Sequence, residues 1–378
     1  ARFKIERPLR LEGVLVAADH NTGYVKALVG GRSYAETTFN RVFNMKRQVG
    51  STFKPIAYLA AFEKGIDPKG QPYTGAYMID DEPWSYKIPG IKDKKNNTWN
   101  PKNYEKGYRG RITLREAFAN SINIPMAKIG VEVGIDRIVD VAHRLGIEEN
   151  LPEVASLSLG SIDIEPLELL QVYSTFANLG ERIELTTVRL IVDEHGKALA
   201  RFVPRNERVF APSLVYMITD MMRSVVKEGT AKAMAALGYT KTARGKTGTT
   251  SFSRDAWFAG FSQNIVAVTW TGFDELKTPS EDDDEKEIKK FKSPAALTGA
   301  GAALPTWARF FSAIKPATEE EPDARAGADG KPQLDAAIES RRIDKASGLL
   351  AKPTCPESQV YEEIFLPGTA PTAECGLH

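Results

Sequence analysis

The chain of 378 residues is 42% hydrophobic and 26% charged, which predicts a globular fold and excludes wholesale disorder. Fifty Lys and Arg against 49 Asp and Glu leave a formal charge of +1, which argues against bulk nucleic-acid binding. Two cysteines and four histidines exclude a disulfide-dense scaffold and a four-cysteine zinc site, while leaving room for one bridge.

Residues 1–10 are mixed and charged and read as a linker. Leu11–Ala18 and Tyr24–Val29 are β-rich and flank Asn21-Thr-Gly23, which is a hairpin signal. A helical pattern runs from Ser51 to Lys64, with Pro55 tolerable only near its first turn. Residues 67–110 are dense in Gly, Pro, Asn and Lys and read as a long irregular excursion, the kind of loop that is usually functional. Thr113 and Glu116 form a capping-box pattern that opens a helix to about Asn120. Further helices are predicted at Ile135–Leu145, Pro166–Leu179 and Pro212–Lys227, stopped by Gly146, Gly180 and Gly229. Strands return at Lys241–Thr250, Ala256–Ser262 and Ile265–Phe273. Strands from both ends are thus free to meet in one sheet, with the helical middle as an insertion.

The remainder is less regular. Glu281–Lys290 holds six acids and three lysines and reads as a solvated hairpin tip or loop. Residues 316–333 are rich in Ala, Pro, Glu and Asp and read as a flexible linker before a small tail module, 334–378. The main domain is then 11–315. No apolar run approaches the roughly 20 residues of a membrane helix. The first residues also lack the apolar stretch of a secretion signal. An extracytoplasmic protein with this sequence would carry its targeting segment before residue 1.

The chemistry-bearing residues are serines and lysines, for the chain has no GxGxxG, P-loop or HExxH motif. In Ser51-Thr-Phe-Lys54, helical i, i+3 spacing brings the amine toward the hydroxyl. A lysine whose pKa is lowered by burial or by another cation can take the serine proton. The spacing alone is weak, because Ser224/Lys227 and Ser312/Lys315 repeat it. Ser121-Ile-Asn123 and the single Lys246-Thr-Gly248 change the weighing. S-x-N occurs again only at Ser262/Asn264, beyond the K-T-G, so Ser51 alone is followed by an S-x-N and then the K-T-G with a helical region between. The other two S-x-x-K pairs therefore read as helix surface. Acyl transfer needs a nucleophile (Ser51), a base (Lys54), a proton path (Ser121) and amide donors for the oxyanion. Asn123 would bind a substrate amide, Lys246 and Thr247 would supply charge and a hydroxyl, and Gly248 would admit the substrate backbone. S-x-x-K, S-D-N and K-T-G together mark class A β-lactamases and penicillin-binding proteins.

The chain resembles the transpeptidase domain of class A, bifunctional penicillin-binding proteins. The similar segments are Arg47–Pro55, Trp99-Asn-Pro-Lys-Asn-Tyr104, Leu114-Arg-Glu-Ala117, Ser121–Pro125, Pro166–Gly180, Gly229-Thr-Ala231, Gly245–Thr250 and Asp255–Gly260. The resemblance implies an α+β fold: an αβα sandwich on an antiparallel five-stranded sheet, with an all-helical subdomain. It implies that Ser51 forms an acyl-enzyme with a D-Ala-D-Ala stem peptide, which a neighbouring amine resolves into a cross-link. The amides of Ser51 and Thr249 would form the oxyanion hole, and Lys246, Thr247 and Thr249 would hold the terminal carboxylate. β-Lactams would acylate the same serine. No metal or organic cofactor is called for. The resemblance also implies the periplasmic side of a bacterial inner membrane, an N-terminal anchor and glycosyltransferase domain outside this chain, and possible contacts with other cell-wall synthesis proteins.

The middle motif is S-I-N, whereas class A β-lactamases carry S-D-N. A β-lactamase and a non-catalytic β-lactam or peptidoglycan sensor are the alternative readings. Glu165 and Glu168, candidates for a deacylating base, sit at a helix start, where acids meet the dipole favourably. Trp99 and Tyr104 either pack the long loop or line a substrate groove. His143 reads as structural. A similar family tail and an oxidising compartment imply a Cys355–Cys375 disulfide.

Overall fold

The structure is a computed structural model that describes residues 11–90, 97–274, 297–314 and 334–376. The expected linkers at 1–10 and 316–333 and the acidic segment Glu281–Lys290 lie outside the described residues.

The strands of both ends do meet. β1 (Leu11–Asp19) and β2 (Val25–Val29) join β3 (Arg244–Thr249), β4 (Asp255–Ser262) and β5 (Ile265–Phe273) in one five-stranded sheet. Its order is β3-β4-β5-β1-β2, and every ladder is antiparallel. β1 pairs with β5 from Leu11↔Phe273 to Asp19↔Ile265, closing a contact across most of the chain. β4 is buried along its whole length, which is why its sequence, Asp255-Ala-Trp-Phe-Ala-Gly-Phe-Ser262, is nearly continuous in apolar residues.

Helices cover the two faces. Phe258 points to one, where the indole of Trp307 on the C-terminal helix Leu304–Ala313 packs against it at 5.3 Å between ring centroids. Trp257 points to the other, and its Nε1 donates to the Gln48 carbonyl at 2.9 Å just before the first motif. That face carries the inserted helices: α1 (Lys54–Lys64), α2 (Leu114–Ala119), α3 (Asn123–Val133), α4 (Ile135–Leu145), α5 (Pro166–Ala177) and α6 (Pro212–Lys227). α1 is the central element, buried from Lys54 to Phe62. The architecture is the α+β sandwich with a helical insertion that the resemblance implies.

Local departures have local causes. Ser51 is not on the α-helix: Gly50–Phe53 is a 3₁₀ turn, and α1 starts only at Lys54, with Pro55 in its first turn. The Thr113 box is half-formed. Thr113 Oγ1 accepts from the Glu116 amide at 3.2 Å, while the Glu116 carboxylate faces Arg109 at 3.4 Å. The excursion 67–110 is not wholly irregular, since Met78–Asp81 pairs with Gly110–Thr113 and Tyr86–Lys87 with Thr98–Trp99. Ser224, expected on a helix surface, is buried and accepts from Arg115 at 2.8 Å. Ser312 is exposed, as expected, and Lys315 lies outside the described residues. His143 caps locally, with Nδ1 2.7 Å from the Ile147 carbonyl.

The tail pairs β6 (Glu339–Asp344) with β7 (Val360–Phe365) and packs Ile343 and Phe365 onto Ala76 of the main domain. Cys355 and Cys375 come together there, with their sulfurs 3.0 Å apart. That is a contact, not the expected bond, whose length is about 2.05 Å.

Candidate active site

The three sequence motifs converge on one cleft of about 800 Å³. Ser51, Ser121, Asn123, Thr247 and Thr249 line it, with Trp99 and Tyr104 on the wall formed by the long loop. The two lysines lie beneath, each fully buried.

Lys54, the first residue of α1, is held by the second motif. Its Nζ donates to the Ser121 carbonyl and Asn123 Oδ1 at 2.7 Å each, to the Ile122 carbonyl at 3.2 Å and to Ser121 Oγ at 3.3 Å. None of these bonds reaches Ser51, so the contact expected from helical spacing is replaced by four oxygens from the neighbouring turn. Lys246 Nζ reaches Ser121 Oγ from the other side at 2.8 Å. One serine hydroxyl therefore sits between two buried amines. Ser121 is in the left-handed region, at φ 58°, which is uncommon for a residue with a side chain and carries a local cost.

Burial pushes both amines toward the neutral form. Lys54 is held well below the ordinary lysine value, first by burial and then by the charge of Lys246. Burial pushes Lys246 down to about 7. These are the conditions in which a lysine can accept a proton at neutral pH.

Asn123 is engaged at both ends of its side chain. Oδ1 accepts from Lys54, and Nδ2 donates to the Lys102 carbonyl at 2.8 Å. It braces the long loop against Lys54, so the side chain expected to bind a substrate amide is engaged within the protein instead. Gly248 needs a different explanation as well. A Cβ there would meet the Val49 carbonyl at 2.7 Å and Thr52 Cγ2 at 2.9 Å, so its missing side chain admits the turn that carries Ser51, not a substrate backbone. Gly50, at φ 51°, likewise backs onto the Thr249 carbonyl, within 2.9 Å of a built Cβ. The Ser51 turn and the end of β3 are therefore adjacent backbone segments.

Trp99 lies edge-on to Trp84 at 6.2 Å, so it both packs the loop and faces the cleft. Tyr104 is 65% exposed and reaches across to Ser253 Oγ at 3.5 Å. Glu165 and Glu168 are not among the lining residues. The Glu168 carboxylate accepts from the amides of Glu148, Glu149 and Glu165. Among the described residues no cluster of His, Cys, Asp and Glu could hold a metal ion.

Sequence reasoning missed several lining residues. Thr230 Oγ1 is 2.6 Å from Thr247 Oγ1. Thr298 and Ala300 enter from the turn before the last helix, where the Gly299 amide donates to Thr249 Oγ1 at 3.0 Å. Gly160, at φ 79°, would bring a Cβ within 2.0 Å of the Gly50 carbonyl. Only Thr230 left a signal, in Gly229-Thr-Ala231.

The family described as the penicillin binding protein transpeptidase domain matches residues 13–290. The one described as the penicillin-binding protein 1A C-terminal domain matches 336–378. The chain is similar to penicillin-binding protein 1A of Aquifex aeolicus (strain VF5), with 38% identity over 304 residues, covering 80% of this chain and 38% of that protein. Its similarity to penicillin-binding protein 1A of Neisseria flavescens is 36% over 324 residues, covering 84% and 37%. The chain thus spans well under half of these relatives. Among solved structures, penicillin-binding protein 1A from Haemophilus influenzae superposes with a TM-score of 0.77 at 27% identity, covering 97% of this chain and 54% of that one. PonA1 of Mycobacterium tuberculosis in complex with penicillin V shares the fold, with a TM-score of 0.64 at 21% identity over 82% of this chain and 80% of that one.

Proposed function

The chain belongs to the penicillin-binding protein transpeptidase family, and from that membership we propose that it cross-links peptidoglycan stem peptides through an acyl-enzyme on Ser51. The observation that carries the reading is the Ser121 hydroxyl held between Lys54 and Lys246, at 3.3 and 2.8 Å, in the cleft that Ser51 lines.

In this reading Ser51 Oγ attacks the carbonyl carbon of the penultimate D-Ala, and neutral Lys54 takes its proton. The C–N bond to the terminal D-Ala then breaks. The proton returns through Ser121 to the leaving amine, which departs as free D-Ala. An amine from a second stem attacks the ester carbonyl, gives up a proton along the same path and releases Ser51. Backbone N–H groups of Ser51 and Thr249 stabilise the oxyanion. Lys246, Thr247 and Thr249 hold the terminal carboxylate, and Thr230 orients the Thr247 hydroxyl. Trp99 and Tyr104 are the apolar and hydroxyl-bearing wall for the stem. β-Lactams, of which PonA1 carries one in its solved complex, acylate the same serine. The activity belongs on the periplasmic face of a bacterial inner membrane. The described part has no helix long and apolar enough to cross a membrane.

The test is release of D-Ala from a D-Ala-D-Ala pentapeptide, with a glycine or stem-peptide amine as acceptor. The expected result is D-Ala release with formation of the amide product, both lost in Ser51→Ala. Acylation by penicillin without D-Ala release or cross-link from any acceptor would contradict it.

A further inference from the structure

Arg115 is the second residue of α2, and its guanidinium is buried between three elements. Nε and Nη2 donate to the two carboxylate oxygens of Glu363 on β7, at 2.7 and 2.5 Å. Nη2 also donates to Asp220 Oδ2 at 2.7 Å, and Nη1 to Ser224 Oγ at 2.8 Å, both on α6. Burial opposes the guanidinium charge, but Glu363 and then Asp220 more than offset it. The chain is shaped to admit this contact. A Cβ on Gly75 would lie 2.1 Å from Glu363 Oε2, and the Gly75 carbonyl accepts from the Arg115 amide at 2.9 Å.

Both helices that Arg115 joins end at the cleft. The amides of Ser121 and Ile122 donate to Phe118 and Ala117, so the Ser121 turn moves with α2. α6 leads to Gly229 and Thr230. The Thr230 amide donates to the Ala119 carbonyl at 3.0 Å, and its hydroxyl meets Thr247. The start of α2 and the end of α6 therefore set Ser121 and Thr247 relative to each other.

We propose that Glu363 of the tail module is a positioning residue for acylation, fixing α2 against α6 through Arg115 and so holding Ser121 between its two lysines. The inference rests on the reading of Ser51 as nucleophile with Ser121 as its proton relay. Without the carboxylate, Arg115 keeps only its α6 partners, and the first turn of α2 loses its fixed distance from the tail. Proton transfer through Ser121 is sensitive to displacements far smaller than a side chain.

The test uses the whole chain and a fluorescent penicillin, separating the acylation rate constant from the binding constant. Glu363→Gln is expected to slow acylation about tenfold, with binding unchanged. In a Ser121→Ala background, which is slow already, the same substitution is expected to change the rate by no more than about twofold. Should Glu363→Gln not fold, Glu363→Asp carries the same test, since it keeps the charge and shortens the reach. Unchanged acylation in a folded Glu363 variant, or an equal loss in both backgrounds, would overturn the proposal. An unlabelled wild type would count against the acyl-enzyme reading itself, and the inference would fall with it.

Discussion

Ser121 is the residue on which the proposed chemistry turns. In the proposed cycle Lys54 takes the Ser51 proton and Ser121 carries it on to the leaving amine, so Lys54 must start neutral. Burial accounts for most of that, and the mutual repulsion of the amines for the rest of the Lys54 shift. The fraction of neutral Lys54 grows as pH rises through its lowered value, so acylation rises with pH there. Lys246→Ala removes the repelling charge, raises the Lys54 value and moves the ascending limb to higher pH. The acylation rate constant measured against pH checks this, and an unmoved limb would separate the two lysines. Lys54→Ala removes the proton acceptor, and the expected loss is about 10²- to 10⁴-fold in the acylation rate constant, read by stopped-flow. A rate near that of the wild type would take the base role from Lys54.

At the scale of elements, the cleft is a set of close backbone approaches. The turn that carries Ser51 is pressed between β3 and the segment that ends at Gly160. Gly160→Ala meets both a left-handed backbone and a carbonyl at 2.0 Å from the new carbon. Strain of about 1–3 kcal/mol is expected, with a lower melting temperature and slower acylation, because the turn that yields carries Ser51. Calorimetry together with penicillin labelling checks both; a stable, fully active variant would contradict the close packing. Phe258→Ala tests the opposite face of the sheet, away from Ser51. Loss of a fully buried ring against Trp307 should cost about 3–5 kcal/mol in denaturant unfolding. These elements were legible to different degrees. β5 was expected at Ile265–Phe273 and is found there, since alternation, glycine and turn residues are local signals. Gly248 was legible as a required glycine but not for its reason, because what a missing Cβ admits depends on Val49 and Thr52, far away in sequence.

At the scale of the molecule, strands from either side of the helical insertion close one sheet, and a tail returns to the helices that lead to Ser121 and Thr230. The sheet was foreseeable from the order of strand and helix patterns. The partners of Lys54 were not, since helical spacing pointed it at Ser51 and only the fold supplies the oxygens of Ser121, Ile122 and Asn123. Nor was Arg115 with Glu363, a pair separated by 248 positions. Nothing in a local pattern marks either residue as buried. The tail also brings Cys355 and Cys375 within contact, both buried. In an oxidising compartment the pair is expected to close. Intact mass should then fall by the two hydrogens lost, and reduction should lower the melting temperature by a few degrees. Two alkylatable thiols in protein purified without reductant would contradict that expectation.

The central claim, that Ser51 is the acylated nucleophile of this cleft, is tested most directly by mass spectrometry after exposure to a penicillin. One stable adduct is expected, on the peptide that contains Ser51, and it should be absent from Ser51→Ala. An adduct that persists in that variant, or that maps to another peptide, would contradict the account.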